Sequence, residues 1–589
     1  MNISRGFGRR RWRANGDVLV GRTPVYSRVQ DDYPWLSLIG HWLRRPMTSN
    51  IEVIAMVATP SLATPVASAD RRPRFALGPS LAVAARRRVL IVNAFFDEYR
   101  RMKGSPYRVP RAMGPVFLAS AFSPARCEVR LYNEQYSGPL EDVGLLGWPD
   151  MLVLTGVTSS LDRMLHLTAY ARALNEKVIV VAGGSAIRAL PRHARRFFDC
   201  ACLGDIEQLQ AIVRDTFGPH FIAEDPFPRF DLCPQGRIVA YVESSRNCNF
   251  RCSFCSLTGE RVRYRKYALD YIRRQIDAVG NKQLIFIDNN FYGSDHGFFR
   301  ARVALLRELY EARRIEGWSA LVTGDFFHDP KNLELVRAAG CRGLFSGIES
   351  FDEATLRSYN KRQNMVVPQV EVIRRCLDAG VLFNYGIMFD PSSRTLADLR
   401  REIEFILETP EITLPSFFTL AIPLLGTPYF RDCFAQGMLY PNTKLRDLDG
   451  VTLTMRPLDP VPEVQDFVRG LPSLRGYRSR VWRHLFAFIR RYRGRLDRMQ
   501  LFAQLVSAAL ISTETFATSP GVGAKRGPRP TYFGPTQPPD PLYAPIMRVP
   551  ARFAGHFRPT MVTDAAGGLH ADVALDLSAP DTRMVAADG

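Results

Sequence analysis

The chain has 589 residues, 46 % of them hydrophobic and 23 % charged. That length suits several domains, and that balance excludes a fibrous, collagen-like or wholly disordered protein. The formal charge of +20 would suit an anionic partner. The arginines are spread along the chain rather than gathered in one stripe, so solvated arginine faces are the simpler reading and nucleic acid is not the expected partner.

Residues 1–86 read as a basic leader of low order, or as a start codon placed too far upstream. Arginines crowd MNISRGFGRRRWRANG, and no clean apolar segment with a cleavage site follows. Residues 87–217 alternate between strand and helix patterns. Strands are predicted at Arg88–Asn93, Cys127–Tyr132, Met151–Thr155, Val178–Ala182 and Asp199–Leu203, with helices at Met113–Ala121, Leu161–Leu174 and Asp205–Asp215. Short, continuously apolar strands between helices imply a doubly wound, Rossmann-like parallel sheet. Ligands on such sheets bind at the C-terminal strand ends. The loops to watch are therefore Thr158-Ser159-Ser160, leading into Leu161, and Gly183-Gly184-Ser185.

Residues 218–237, with Pro219, Pro226, Pro228 and Pro234, read as a linker. A second alternating series fills 238–440. Its predicted strands are Ile238–Val242, Leu284–Ile287, Leu321–Thr323, Gly343–Ile348, Phe383–Phe389 and Phe417–Ile422. Thr395 and Asp398 form a capping-box pattern ahead of a helix over Thr395–Leu407. Six such units imply a partial (β/α)6 TIM-type barrel with its site at the C-terminal strand ends. Residues 441–515 are expected to be helical. Residues 516–589, rich in Pro, Gly and Ala, are expected to be extended or poorly ordered. No uninterrupted run of about 18 apolar residues suggests a membrane span; the stretch Leu501–Ile511 is broken by Gln504 and Ser507.

Three of the ten cysteines are clustered, as Cys248-x3-Cys252-x2-Cys255, directly after the first barrel strand. Three thiolates in one short loop can wrap one compact centre, and thiolates select iron–sulfur clusters or zinc. A closed structural zinc site takes four ligands, so a zinc ion completed by a distant histidine is the competing reading. The other seven cysteines are scattered and read as small buried side chains. Clustered thiols beside scattered ones suit a cofactor in a reducing, cytoplasmic setting better than a disulfide framework.

This cysteine spacing, with aromatic Phe254 before the last cysteine, resembles the radical S-adenosylmethionine (SAM) superfamily, and the resemblance extends over about 85–455. Leu284-Ile-Phe-Ile-Asp288-Asn-Asn290-Phe resembles that family's second strand, whose acidic and amide end approaches SAM. Glu349 and Ser350, at the end of Ala339-Gly-Cys-Arg-Gly-Leu-Phe-Ser-Gly-Ile-Glu-Ser, resemble the fourth strand, where they would face the methionine or ribose. Tyr359-Asn-Lys361 is similar to the Asn-Lys that follows. Pro423-Leu-Leu-Gly426-Thr427 resembles the turn near the adenine. The resemblance implies a [4Fe-4S] cluster on Cys248, Cys252 and Cys255. Its open iron would chelate SAM, and its electron would cleave SAM to methionine and a 5′-deoxyadenosyl radical that abstracts hydrogen from an unreactive carbon.

Residues 87–217 resemble the cobalamin-binding domain that precedes the barrel in one subgroup, through Ser159-Ser160-Leu161, Gly183-Gly184 and Gly204-Asp-Ile-Glu207. The usual Asp-x-His-x-x-Gly loop is missing after Asn93, where the chain reads Ala-Phe-Phe-Asp-Glu-Tyr; some relatives bind cobalamin without that histidine. The resemblance implies cobalamin-dependent methyl transfer to, or rearrangement of, an unactivated carbon in a small-molecule or lipid-like substrate. A flavodoxin or ferredoxin would supply electrons. Cyclases and oxidoreductases without cobalamin share the architecture, whereas tRNA methylthiotransferases carry three further cluster cysteines not seen here. Arginines and aromatics alternate over 475–495, in keeping with an anionic or peripheral membrane contact or with an ordinary packed helix bearing a basic outer face.

Overall fold

A computed structural model describes residues 86–95, 113–233, 239–260, 263–280, 282–450, 452–470, 476–513 and 541–578. Apart from Arg86, the leader lies outside these residues. The first sheet contains β1 (Arg87–Asn93), β2 (Cys127–Asn133), β3 (Met151–Thr155), β4 (Ile179–Gly183) and β5 (Cys200–Cys202) in the parallel order β2-β1-β3-β4-β5. The apolar run of β1 explains its place inside the sheet. Val89 and Ile91 enter one core with Val116 and Phe117, while Leu90 and Val92 enter another with Leu154 and Leu165. Strand order reverses between β1 and β3, so a crevice opens where Asn93-Ala94 and Thr155–Ser160 leave the sheet. Gly184 lies at φ +108°, and a Cβ there would sit 2.7 Å from the Gly156 carbonyl oxygen. Only glycine fits this approach between the β3 and β4 loops.

The second sheet holds β6 (Val239–Val242), β9 (Gln283–Phe286), β10 (Gly317–Leu321), β11 (Cys341–Phe345) and β12 (Leu382–Asn384), all parallel, in the order β12-β11-β10-β9-β6. A parallel pair, β13 (Gly386–Phe389) and β14 (Phe417–Leu420), continues it through a bridge between Glu349 and Ile387. Six βα units thus form the partial barrel. A two-residue hairpin, β7 (Ser245–Arg246) with β8 (Arg265–Lys266), closes the base of the cysteine loop. The third and fourth strands start earlier than predicted. Trp318 is fully buried, and its indole N–H donates to the Ala339 carbonyl at 2.8 Å, which holds Gly317–Leu321 in the sheet. The predicted fifth strand breaks at Tyr385, whose hydroxyl is drawn to the Thr413 carbonyl at 2.8 Å.

Helices Val461–Gly470, Tyr477–Tyr492 and Arg498–Thr513 follow the barrel. The tail expectation is corrected for 541–578, which fold back onto the first domain. Tyr543 donates to the Asp162 carboxylate at 2.5 Å, Phe557 stacks on His166, and Asp576 caps the backbone of Arg192 and His193. Each hold is a single long-range contact with no helical or strand period, so pattern reading misses it. Among the described residues no helix is long and apolar enough to cross a membrane.

Candidate functional site

Cys248, Cys252 and Cys255 lie on the loop after β6, and two sets of contacts fix that loop. On one side the three residues after β9 lace it down. Asp288 accepts from the Ser244 amide (2.7 Å) and from the hydroxyls of Ser244 (2.6 Å) and Ser245 (2.5 Å). Asn289 accepts from the Asn247 amide at 3.2 Å, and Asn290 donates to Asn249 at 2.7 Å. Arg302, over the Phe291 ring, pairs with Asp288 at 3.1 Å. Asp288 and Asn290 are both fully buried. Their side chains are engaged in holding the loop. Burial pushes the Asp288 carboxyl above its usual range in spite of Arg302.

On the other side the loop is tied to the chain following β11 and β14. Ser253 donates to the Tyr359 carbonyl (3.0 Å), Asn360 to the Arg251 carbonyl (3.1 Å), and Tyr429 through its amide to the Ser253 carbonyl (3.1 Å). The Phe254 ring meets Tyr359 edge-on at 5.2 Å. The hydroxyls of Tyr359 and Tyr429 both donate to Asp390, at 3.0 and 2.8 Å. Buried Pro423 and Gly426 (φ +80°) form the turn after β14. That turn abuts the short helix Ser256–Glu260: a Cβ on Gly259 would lie 3.2 Å from the Gly426 carbonyl carbon.

The thiols are electrostatically coupled. Burial pushes Cys248 up to about 11, and Cys255 and Cys252 add to the rise; burial also raises Cys255. Donors converge on the sulfurs, with the Phe250 amide 3.5 Å from Cys248 and the Gln363 side-chain amide 3.4 Å from Cys252. Burial opposes the charge of Lys361. Its 2.6 Å pair with Glu349 and the nearby Cys252 outweigh that penalty, so its pKa is raised. Glu349 adopts φ +62° and so turns its carboxylate towards Lys361, beside the cysteines. Ser350 beside it is fully buried between Glu402 (2.7 Å) and Arg394 (3.1 Å).

Among the described residues no three His, Cys, Asp or Glu side chains converge tightly enough to hold one metal ion. Three coupled thiols on one anchored loop, with N–H donors on the sulfurs, fit a multinuclear iron–sulfur group.

The crevice loops of the first domain sit against this loop. Arg188, in the helix Ser185–Ala189 after Gly183-Gly184, pairs with Glu260 and, at 2.9 Å, with Asp205. Arg246, just before the cysteines, reaches Asp205 at 3.8 Å, and Arg265 meets Glu207 at 2.8 Å. Ser159 and Leu161 are buried where Thr158–Ser160 meets the turn Leu445–Asp447. Arg188, Glu260, Gln363, Asp390 and Tyr429 were not singled out from sequence. Each is a common residue type placed by contacts far along the chain, without a local signal.

Residues 242–406 match the Radical SAM superfamily. This segment is a radical SAM domain. Among its relatives, the hopanoid C-2 methylase of Rhodopseudomonas palustris is 25 % identical over 298 residues, 46 % of this chain and 55 % of that protein. The chain therefore spans about half the length of that methylase. Bacteriochlorophyllide d C-8(2)-methyltransferase of Chlorobaculum tepidum is 23 % identical over 353 residues, 54 % of this chain and 75 % of that one. The solved structure of the cobalamin-dependent SAM radical enzyme OxsB, with aqua-cobalamin and SAM bound, superposes with a TM-score of 0.51 at 15 % identity, covering 72 % of this chain and 75 % of that one. Its likeness to this chain is one of fold.

Proposed function

We propose that this radical SAM enzyme transfers a methyl group to an unactivated carbon of a small-molecule or lipid-like substrate, with cobalamin as carrier. One observation carries the reading: the switch-point crevice of a 2-1-3-4-5 parallel domain adjoins the three-cysteine loop, joined to it by Arg188–Glu260 and Arg246–Asp205. Two relatives are named hopanoid C-2 methylase and bacteriochlorophyllide d C-8(2)-methyltransferase, which supports methyl transfer to carbon of a small molecule.

Cys248, Cys252 and Cys255 would hold the [4Fe-4S] cluster, and Glu349 with Lys361 would meet the polar end of SAM. The loops at Ser159, Leu161, Gly183 and Gly184 would flank cobalamin. When bound, these groups would supply the electron that cleaves SAM and carry a methyl group from the SAM sulfonium sulfur to the substrate carbon. This chain's own residues do the rest. The Asp288–Asn290 lacing fixes the thiols before cofactor arrives. The Asp390 hub with Tyr359 and Tyr429 holds Phe254 and the loop from the opposite side.

Anaerobic purification with cobalamin, followed by an optical spectrum, iron and sulfide counting and a SAM-cleavage assay, tests the reading. Bound cobalamin, near four irons per chain and SAM cleavage abolished by Cys252→Ala are expected. Zinc in place of iron would refute it. SAM cleavage without cobalamin retention would shift it to a cobalamin-independent cyclase or oxidoreductase.

A further inference from the structure

The helix Tyr477–Tyr492 carries five arginines and no acidic residue. Its inner face, through Tyr477, Val481, His484, Leu485, Phe488 and Tyr492, is buried in the barrel core. Two of the arginines are compensated, Arg480 by Glu404 at 3.7 Å and Arg491 by Glu411 at 3.8 Å. Arg483 and Arg490 are exposed and, among the described residues, form no ion pair. Between them stands Phe486, 66 % exposed, the most open large apolar side chain among the described residues. Its ring lies 6.5 Å from that of Trp482. Together with Ser479 and Ala487 these side chains line an open groove of about 600 Å³.

A phenyl ring left in water is normally tolerated only singly and without pattern. Here an indole and a phenyl form one strip flanked by uncompensated guanidinium groups. Aromatic rings at the level of the headgroups, with arginines reaching phosphates on either side, are what an anionic bilayer surface accommodates. Charge complementarity selects the occupant. A protein partner would need its own acidic rim around an apolar knob, whereas an anionic membrane supplies both at any lateral position.

The placement is compatible with such an anchor. Tyr492 donates to the Glu411 carbonyl and His484 contacts the Ile412 carbonyl, just ahead of β14; Gln500 in the next helix reaches the Gly380 carbonyl, just ahead of β12. The strip therefore lies towards the N-terminal ends of the barrel strands. The cysteine loop leaves β6 at the opposite, C-terminal end, so the strip can rest on a surface without covering that end.

We infer that the Trp482–Phe486 strip with Arg483 and Arg490 is a peripheral docking surface for an anionic phospholipid bilayer. This inference stands independently of the methyl-transfer reading. Co-sedimentation of the full-length protein with vesicles of phosphatidylcholine alone, and with 30 % phosphatidylglycerol added, tests it. Binding is expected only to the anionic vesicles, and it should weaken as salt is raised. At about 1 kcal/mol per arginine near such a surface, Arg483→Gln with Arg490→Gln should weaken it about 30-fold. Phe486→Ser should weaken it about tenfold, in keeping with the burial of one aromatic ring. Both variants change outward side chains only, so unchanged circular dichroism and iron content would show an intact fold. Equal binding to neutral vesicles, no binding, or variants that bind like the parent would overturn the inference. So would a short RNA that outcompetes the vesicles through the same two arginines.

Discussion

Replacing Asp288 separates a carboxylate that holds the cysteine loop from one that touches SAM. In Asp288→Ala, Arg302 remains fully buried beside the Phe291 ring with its carboxylate partner gone. Removing one partner of a buried pair costs about 3–5 kcal/mol. The Ser244 amide and two serine hydroxyls also lose their acceptor, each worth about 1 kcal/mol once water refills the space. The sum is about 7 kcal/mol, or roughly 3 M in a urea midpoint at an m-value near ~2.5 kcal/mol/M. Asp288→Asn keeps an acceptor and should lose about half as much. Adding Arg302→Met to Asp288→Asn removes the stranded charge and should recover most of the difference. Urea unfolding of the cofactor-free chain, followed by circular dichroism, reads the stability. Iron counting after reconstitution reads the loop, and Asp288→Ala should hold markedly less iron. A midpoint within 1 kcal/mol of the parent, with SAM affinity lost instead, would refute the holding role. So would a double variant no more stable than Asp288→Ala.

Cys248→Ala, Cys252→Ala and Cys255→Ala should each abolish cluster assembly, seen as loss of iron and of the broad charge-transfer absorption, while unfolding midpoints without cofactor stay close to the parent. Gln363→Leu removes the side-chain N–H from Cys252; that donor favours the more negative reduced cluster, so the midpoint potential should fall by on the order of 50 mV in an EPR titration. Burial raises the Asp162 carboxyl to about 6, above its unfolded value. Its contribution to stability is therefore fully present below about pH 4 and lost as pH rises through 6. Relative to Asp162→Asn, the parent should lose about 3 kcal/mol over that window, read as diverging thermal midpoints between pH 4 and 7.

The sequence alone determined the two parallel α/β units and the three-cysteine loop. Continuous apolar runs such as Val89–Val92 have only one good solution, burial on both sheet faces. The cysteine spacing is local, so three sulfurs in eight residues share one loop in any fold that keeps it short. The capping box at Thr395 and Asp398 was legible for the same reason, and both of its hydrogen bonds are present. Tertiary structure decided which polar residues hold the scaffold. Asp288 and Ser350 sit at strand ends in the pattern of ligand-facing residues, but Arg302 and Glu402, brought from helices 14 and 52 residues onward, turn them inward. Tertiary structure likewise decided that 541–578 fold over the first domain, because Asp162 and Tyr543 meet across 381 residues. A carboxylate is drawn to the nearest donors in space, and those are set by how the layers pack rather than by what adjoins it in the chain.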